Sequence, residues 1–277
     1  MYRILVVDTE TTGFETTDEM VEVAAVWIQE NTRLGHYHSL IRPHVPVNVE
    51  ARAVHHITDE ELNKAPTLED SGFSMLLSAA DILVAHNVEF DRRMLLQSGV
   101  PDAALPSRCV CTWRCALHLY PMAPRHSNQV LRYWLGLNIP KLKYHPHRAL
   151  PDALVTSELL LHMLKENTIE HLEELSTKPA LLHTVKFGKR RGLKWQEMDT
   201  GFLAWVLSRE FGIDEKHTAR YWLKEKRDEA KRQSELRESA GTDGTACVPL
   251  AGMRNDSETG DVGLQPALVP PSEKPTE

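Results

Sequence analysis

Residues Ile4 to Val7 form an uninterrupted apolar run that leads straight into Asp8-Thr9-Glu10-Thr11-Thr12-Gly13. A short run of this kind, closed by turn residues, is expected to be a buried strand. Side chains two positions apart on a strand share a face, so Asp8 and Glu10 leave its end together, and Gly13 permits a tight exit. Two like charges withdrawn from water side by side oppose each other's ionisation. A hard divalent cation relieves that conflict, because such ions take carboxylate oxygens. A strand followed by an ordinary acidic turn is the reading that this stretch alone leaves open.

Two further blocks carry the same chemistry. Asp91 closes His86-Asn87-Val88-Glu89-Phe90-Asp91 behind a second apolar run, Ile82 to Ala85, and Asp152 closes His147-Arg148-Ala149-Leu150-Pro151-Asp152. Together the three blocks DTETTG, HNVEFD and HRALPD, in that order, resemble the DEDDh family of 3′→5′ exonucleases within the ribonuclease H-like superfamily. The resemblance covers residues 3–165 and includes all five residues on which the family's chemistry rests. It implies an α/β fold, a ribonuclease H-like mixed sheet flanked by helices. It also implies hydrolysis of phosphodiester bonds at single-stranded DNA ends with release of nucleoside monophosphates.

The same resemblance assigns roles. Asp8 would bridge two Mg²⁺ ions, with Mn²⁺ as a substitute, held roughly 4 Å apart. Glu10 and Asp152 would hold the first ion and Asp91 the second. His147 would be the general base, a role that suits a side chain exchanging protons near neutral pH. The backbone of Thr11 and Thr12 would hold the terminal nucleotide, with His86, Asn87 and Phe90 lining the opposite side. Phe14, just beyond Gly13, would either wedge against terminal bases or cover the sheet edge. Base stacking of the first kind contributes ~1–3 kcal/mol per base. His36, His38, His55 and His56 have no such support and are expected to be surface or structural.

Composition narrows the setting. A hydrophobic share of 42% and a charged share of 26% are those of a water-soluble globular chain. No apolar run reaches the ~20 residues of a membrane span, and the chain opens directly on a strand rather than a secretory leader. Four cysteines are too few for a disulfide framework, and Cys109, Cys111 and Cys115 lack a fourth ligand at zinc-finger spacing. A cytoplasmic enzyme of DNA repair is the expectation. Residues 180–233 hold 13 Lys and Arg against 8 Asp and Glu within a chain of net charge −7. That basic segment is the natural phosphate-facing part.

Along the chain, strands are expected at Arg3–Asp8, Val21–Ile28 and His36–Ile41 as an antiparallel meander. A capping box at Thr58 and Glu61 follows, then a helix Leu68–Ala80 and the strand Ile82–His86. Asn87 is expected to cap a helix Val88–Ser98 that carries Asp91 in its first turn, near the positive end of the dipole. A last strand Cys109–Trp113, helices at Arg114–Tyr120 and Ser127–Leu135, a polar loop Lys141–Pro146 and a helix from Ala149 complete a nuclease domain over residues 1–167.

Residues 168–184 read as a linker, and residues 234–277, rich in Gly, Thr, Pro and acidic residues, as a disordered tail. Between them, residues 185–233 resemble the small FGKxxG module of the exodeoxyribonuclease X branch of the family, on which the preference for DNA rests. Phe187, Trp195 and Trp205 are expected to form its core. Lys189, Arg190 and Arg191, with Lys186 and Lys194, are expected to contact phosphates. An RNA-trimming or oligoribonucleotide exonuclease and a polymerase proofreading subunit are the alternatives among enzymes. A nucleic-acid-binding protein without catalysis is the alternative outside them, and a crowded cluster of carboxylates would serve it no purpose.

Overall fold

The computed structural model describes residues 2–139 and 147–241 of the chain. Five strands, β1 (Ile4–Thr11), β2 (Met20–Gln29), β3 (Thr32–Leu40), β4 (Ile82–Ala85) and β5 (Arg108–Cys111), form one mixed sheet in the order β3-β2-β1-β4-β5. The β1–β2 and β2–β3 pairs are antiparallel, as the closely spaced meander predicts, whereas β1–β4 and β4–β5 are parallel. Both faces of the sheet are covered, which is why β1 and β4 read as continuous apolar runs.

The helices are α1 (Val49–His55), α2 (Asp59–Asn63), α3 (Phe73–Ala79), α4 (Val88–Gln97), α5 (Thr112–Leu119), α6 (Asn128–Trp134), α7 (Ala149–Met163), α8 (Ile169–Thr177), α9 (Thr200–Ser208) and α10 (Ile213–Gly241). Even-numbered side chains of β1, Ile4 and Val6, pack with Ala24 and Val26 against Ala149, Ala153 and Leu154 of α7. Odd-numbered ones, Leu5 and Val7, pack with Val23 and Ala25 against Phe73, Leu77, Met94 and Leu95 of α3 and α4. Each fully buried side chain of this size contributes ~1.5–3 kcal/mol. The alternation therefore sends Asp8 and Glu10 to the α7 side.

Several boundaries differ from expectation for local reasons. The helix expected from Leu68 starts only at Phe73, because Gly72 takes a left-handed conformation with φ 71°. β5 stops at Cys111, whose thiol accepts from the Arg114 amide at 3.5 Å and caps α5. Asn87 does not cap α4 with its side chain; it sits at φ 87°, turning the chain out of β4. The capping box of Thr58 and Glu61 forms as expected.

The linker expected at 168–184 is corrected over its first half. α8 occupies it, with Leu172 and Leu175 buried in the main core. Residues 234–241, expected to be disordered, continue α10, and the rest of the expected tail lies outside the described residues, as does the loop Lys141–Pro146. The chain divides into two compact units, residues 1–230 and 231–277; of the second, the end of α10 is described. No helix among the described residues is long and apolar enough to cross a membrane.

A separate small core gathers Val185, Trp195, Met198, Leu203, Val206, Ala219 and Leu223, with Phe187, Phe202, Phe211 and Trp222 against it. Trp195 is fully buried, and Phe187 stands 4.5 Å from Phe211 between ring centroids. Trp205, expected in this core, is instead 43% exposed and stacks on Phe202 at 5.6 Å. The segment leading into this core is stitched to α10 rather than free. Asp214 accepts from the Ala180 amide at 2.7 Å and from Arg114 of α5 at 2.5 Å, and Thr218 accepts from the Leu182 amide at 2.9 Å.

Asp214 is buried and Arg114 largely so, and removing one partner of such an ion pair strands the other. Asp214→Ala should therefore lower unfolding stability by about 3–5 kcal/mol. Asp199→Ala removes an exposed pair and the N-cap of α9, and should cost much less than Asp214→Ala. Urea unfolding of the full chain followed by tryptophan fluorescence checks both.

Candidate active site

β1 outruns its parallel neighbour. Only Ile4 to Val6 pair with β4, at Ile82 to Val84, while Asp8 and Glu10 pair on the other side with Ala24 and Glu22 of β2. The carboxyl end of β1 is thus open on its β4 side, where a parallel sheet presents its crevice. Into this crevice α7 brings Asp152 from its first turn. Ligand oxygens of Asp8, Glu10 and Asp152 lie within 4.8 Å of one another. Asp91 enters from α4 across the sheet, buried, and accepts a hydrogen bond from Thr9 Oγ1 at 2.9 Å. The four carboxylates that lie 144 positions apart in sequence at their extremes are therefore assembled at one strand end.

Their charges conflict. Burial and then the charges of Asp91, Asp152 and Glu10 hold Asp8 well above the ordinary carboxylate range. Glu10 is pushed up to about 8 by burial and by Asp152 and Glu22, and burial raises Asp91 to about 7 against the Thr9 hydrogen bond. Asp152 is raised by burial, although Gln129 Nε2 at 2.6 Å and the His147 amide at 2.9 Å both donate to it. A donor set of close, desolvated carboxylate oxygens is what a hard divalent cation requires.

His147 sits immediately before α7 with its side chain exposed and its backbone at φ 65°. Its neighbour Arg148 is fixed: Nη2 and Nε reach Glu22 Oε1 at 2.7 and 3.0 Å. Glu22 also accepts from the Ala149 amide at 2.9 Å and contacts His38 Nε2 at 2.6 Å. Burial acts to raise Glu22, but His38, Arg148 and the Ala149 amide outweigh it and hold the carboxyl down at about 2. Sequence reasoning missed Glu22, Arg148 and Gln129. The signal present was a charged residue inside an apolar strand, Glu22 between Val21 and Val23, which a solvent-facing reading explained equally well.

The other predicted positions divide. Thr12 is fully buried, and its amide donates to the Glu19 carbonyl at 2.8 Å, so this N–H is committed to the turn rather than to a nucleotide. Thr11 Oγ1 donates to the Gly13 carbonyl at 2.7 Å. Any Cβ on Gly13 would stand 2.3 Å from Asn48 and 2.5 Å from Asp18, which is why this turn needs glycine. Phe14 is 68% exposed, and its ring lies 5.9 Å from that of Phe90 between centroids.

His86 uses both ring nitrogens, on Thr112 Oγ1 at 3.0 Å and the His126 carbonyl at 2.8 Å, and burial lowers it to about 4. Asn87 is exposed. In the small module, Arg190 pairs with Asp199 at 2.6 Å and lies over Phe202, while Lys189 and Arg191 are exposed. Among the other histidines, His55 is buried and His38 serves Glu22, both structural as expected.

Comparison with known proteins agrees with this geometry. A family model described as exonuclease matches residues 5–160. Exodeoxyribonuclease 10 of Escherichia coli (strain K12) is 32% identical over 211 residues, covering 73% of this chain and 90% of that protein. A DNA polymerase III subunit epsilon-like protein of Rhodobacter capsulatus is 35% identical over 176 residues, but the chain spans only 23% of its length. The solved structure of Exonuclease X in complex with 5′ overhanging duplex DNA aligns at a TM-score of 0.55 and 30% identity, over 62% of this chain and 99% of that one. With its mixed sheet, its acidic cluster and a family match over more than half its length, the chain belongs to the DEDDh-type 3′→5′ exonuclease family of the ribonuclease H-like superfamily.

Proposed function

We propose that the chain removes nucleoside monophosphates from single-stranded 3′ ends of DNA, using two Mg²⁺ ions, with Mn²⁺ as a substitute. The observation that carries this reading is the set of Asp8, Glu10 and Asp152 oxygens within 4.8 Å, with Asp91 beside them, all raised above ordinary carboxylate values. The choice of DNA follows the similarity to Exodeoxyribonuclease 10 and to the Exonuclease X complex. Bound at these carboxylates, the ions would neutralise the phosphate charge, ease ionisation of the attacking water and stabilise the departing 3′ oxygen.

The chain's own residues do the rest. Asp8, Glu10, Asp91 and Asp152 hold the ions, and Gln129 with the His147 amide fixes the direction of the Asp152 carboxylate. The exposed His147 imidazole takes the proton from water as its oxygen bonds to phosphorus and the bond to the 3′ oxygen breaks. Arg148, locked on Glu22, anchors the backbone that presents it. The Phe14–Phe90 pair offers an exposed aromatic face on which a terminal base stacks, and Asn87 lies beside the same end of β4. We place the activity in the reducing cytoplasm, where Cys109, Cys111 and Cys115 remain free thiols, Cys115 raised to about 12 by burial.

Linkage gives the first test. Glu10 at about 8 and Asp91 at about 7 in the folded state hold protons that the unfolded chain releases near pH 4. In EDTA, the stability contributed by these two groups should therefore be fully present below the unfolded value and be lost as pH rises towards about 8. Added Mg²⁺ should raise the melting temperature more at pH 8 than at pH 6. Asp8→Asn should raise the melting temperature in EDTA, remove the response to Mg²⁺ and lower turnover by ~10²-fold or more. Thermal melts across pH with and without Mg²⁺ check the sign; a melting temperature in EDTA that rises between pH 6 and 8 would contradict it.

The second test concerns His147. His147→Ala should reduce kcat on end-labelled single-stranded DNA by ~10²–10⁴-fold. Binding should be nearly unchanged, and the deficit should narrow as pH rises and hydroxide becomes available. Normal kcat with weakened binding would assign the residue to holding substrate instead.

A further inference from the structure

A groove of about 740 Å³ runs between the nuclease sheet and the small module, both within residues 1–230. His86 and Asn87, just past the carboxyl end of β4, belong to its lining, and Asn87 stands four residues before Asp91. On its flank stand three cations from two separate stretches of chain: Arg125, before α6, and Lys186 and Arg191, in the turn of the module. All three are exposed and have no ion-pair partner among the described residues. The same three also line an adjoining depression of about 350 Å³, so they form a ridge between two concavities. The two acidic residues of the groove, Asp214 and Glu215, are not equivalent to them: Asp214 is neutralised by Arg114 and the Ala180 amide, which leaves Glu215 as one charge against three.

We infer that this groove carries the single strand that trails from the scissile end, with Arg125, Lys186 and Arg191 contacting its phosphates. The inference rests on the exonuclease reading for the identity of the strand, and on charge complementarity and continuity with the end of β4 for the path. It also redistributes the basic cluster of the sequence. Arg190 is taken up by Asp199 and Phe202, and Lys189 is not part of the groove lining, although both lie within the same six residues as Lys186 and Arg191. Arg125, 61 residues before Lys186, joins the path through the fold alone.

Fluorescence anisotropy of a labelled long single strand, titrated with the full chain in EDTA at several salt concentrations, tests the path without requiring turnover. Arg125→Ala, Lys186→Ala and Arg191→Ala should each reduce the log–log salt slope of binding by ~0.7, and the triple variant by ~2, with melting temperatures unchanged. Lys189→Ala removes an equal charge from the same turn and should leave the slope within ~0.2 of wild type. With Mg²⁺, the triple variant should show a raised KM on the long strand and an unchanged rate on a dinucleotide, which is too short to enter the groove. A triple variant with the wild-type slope, or a Lys189→Ala effect as large as that of Lys186→Ala, would overturn the path. Failure of the wild-type protein to degrade DNA with Mg²⁺ would instead overturn the exonuclease reading, and the slopes in EDTA separate the two.

Discussion

The site depends on an imbalance in strand pairing. β1 continues past the last residue it shares with β4, and the positions beyond that point carry Asp8 and Glu10. Had β4 continued alongside, the crevice would be filled by another strand and its covering helix. Because it stops, side chains from both faces of the sheet converge there, Asp152 from α7 on one and Asp91 from α4 on the other. The resulting cluster is self-repelling, and burial together with that repulsion raises the proton affinities of Asp8 and Glu10. A fold that assembles four such groups, rather than replacing one with an amide, holds a state that a divalent cation completes.

Glu22 shows the contrast. It is as buried as any residue of the core and directly opposite Glu10 in the β1–β2 register, yet it is fully compensated by Arg148, His38 and the Ala149 amide. One carboxylate in this neighbourhood is therefore structural, held ionised by a paired guanidinium and further donors, whereas Asp91 and Asp152 accept only from neutral donors, which burial outweighs. The distinction is visible only in the partners each finds. Arg148 couples the two sets, since the residue before it is His147 and the helix after it carries Asp152. Loss of the Glu22–Arg148 pair would leave a buried charge and release the start of α7 at once.

The small module follows different rules. Its aromatic core is built from residues close in sequence, and its attachment to the nuclease body runs through the buried Arg114–Asp214 pair and the amides of residues 180 and 182. A short segment tied at Lys178, Ala180 and Leu182 acts as a brace, not as a flexible tether. The basic turn of the module is consequently held at a set position beside the end of β4, where cations facing a groove can act in concert.

Strand β1, the meander, the helices around Asp91 and Asp152, and the capping box of Thr58 were legible in the sequence because each rests on local periodicity and local hydrogen bonding. The three acidic blocks were legible as one site because together, in that order, they resemble the DEDDh family; spacing alone placed only Asp8 and Glu10 on one face of a strand end. The role of Glu22 was not, since alternation in a strand cannot tell a solvated charge from a buried one whose partner lies 126 residues away. Nor was the helix α8, whose apolar stripe at Leu172 and Leu175 is short enough to read as linker until the core receives it. The sequence by itself determined which residues carry charge and, for the elements with strong local periodicity, where strands and helices lie. Only the tertiary structure decided which of those charges are compensated and which are left crowded together, because compensation depends on distances between residues far apart in the chain.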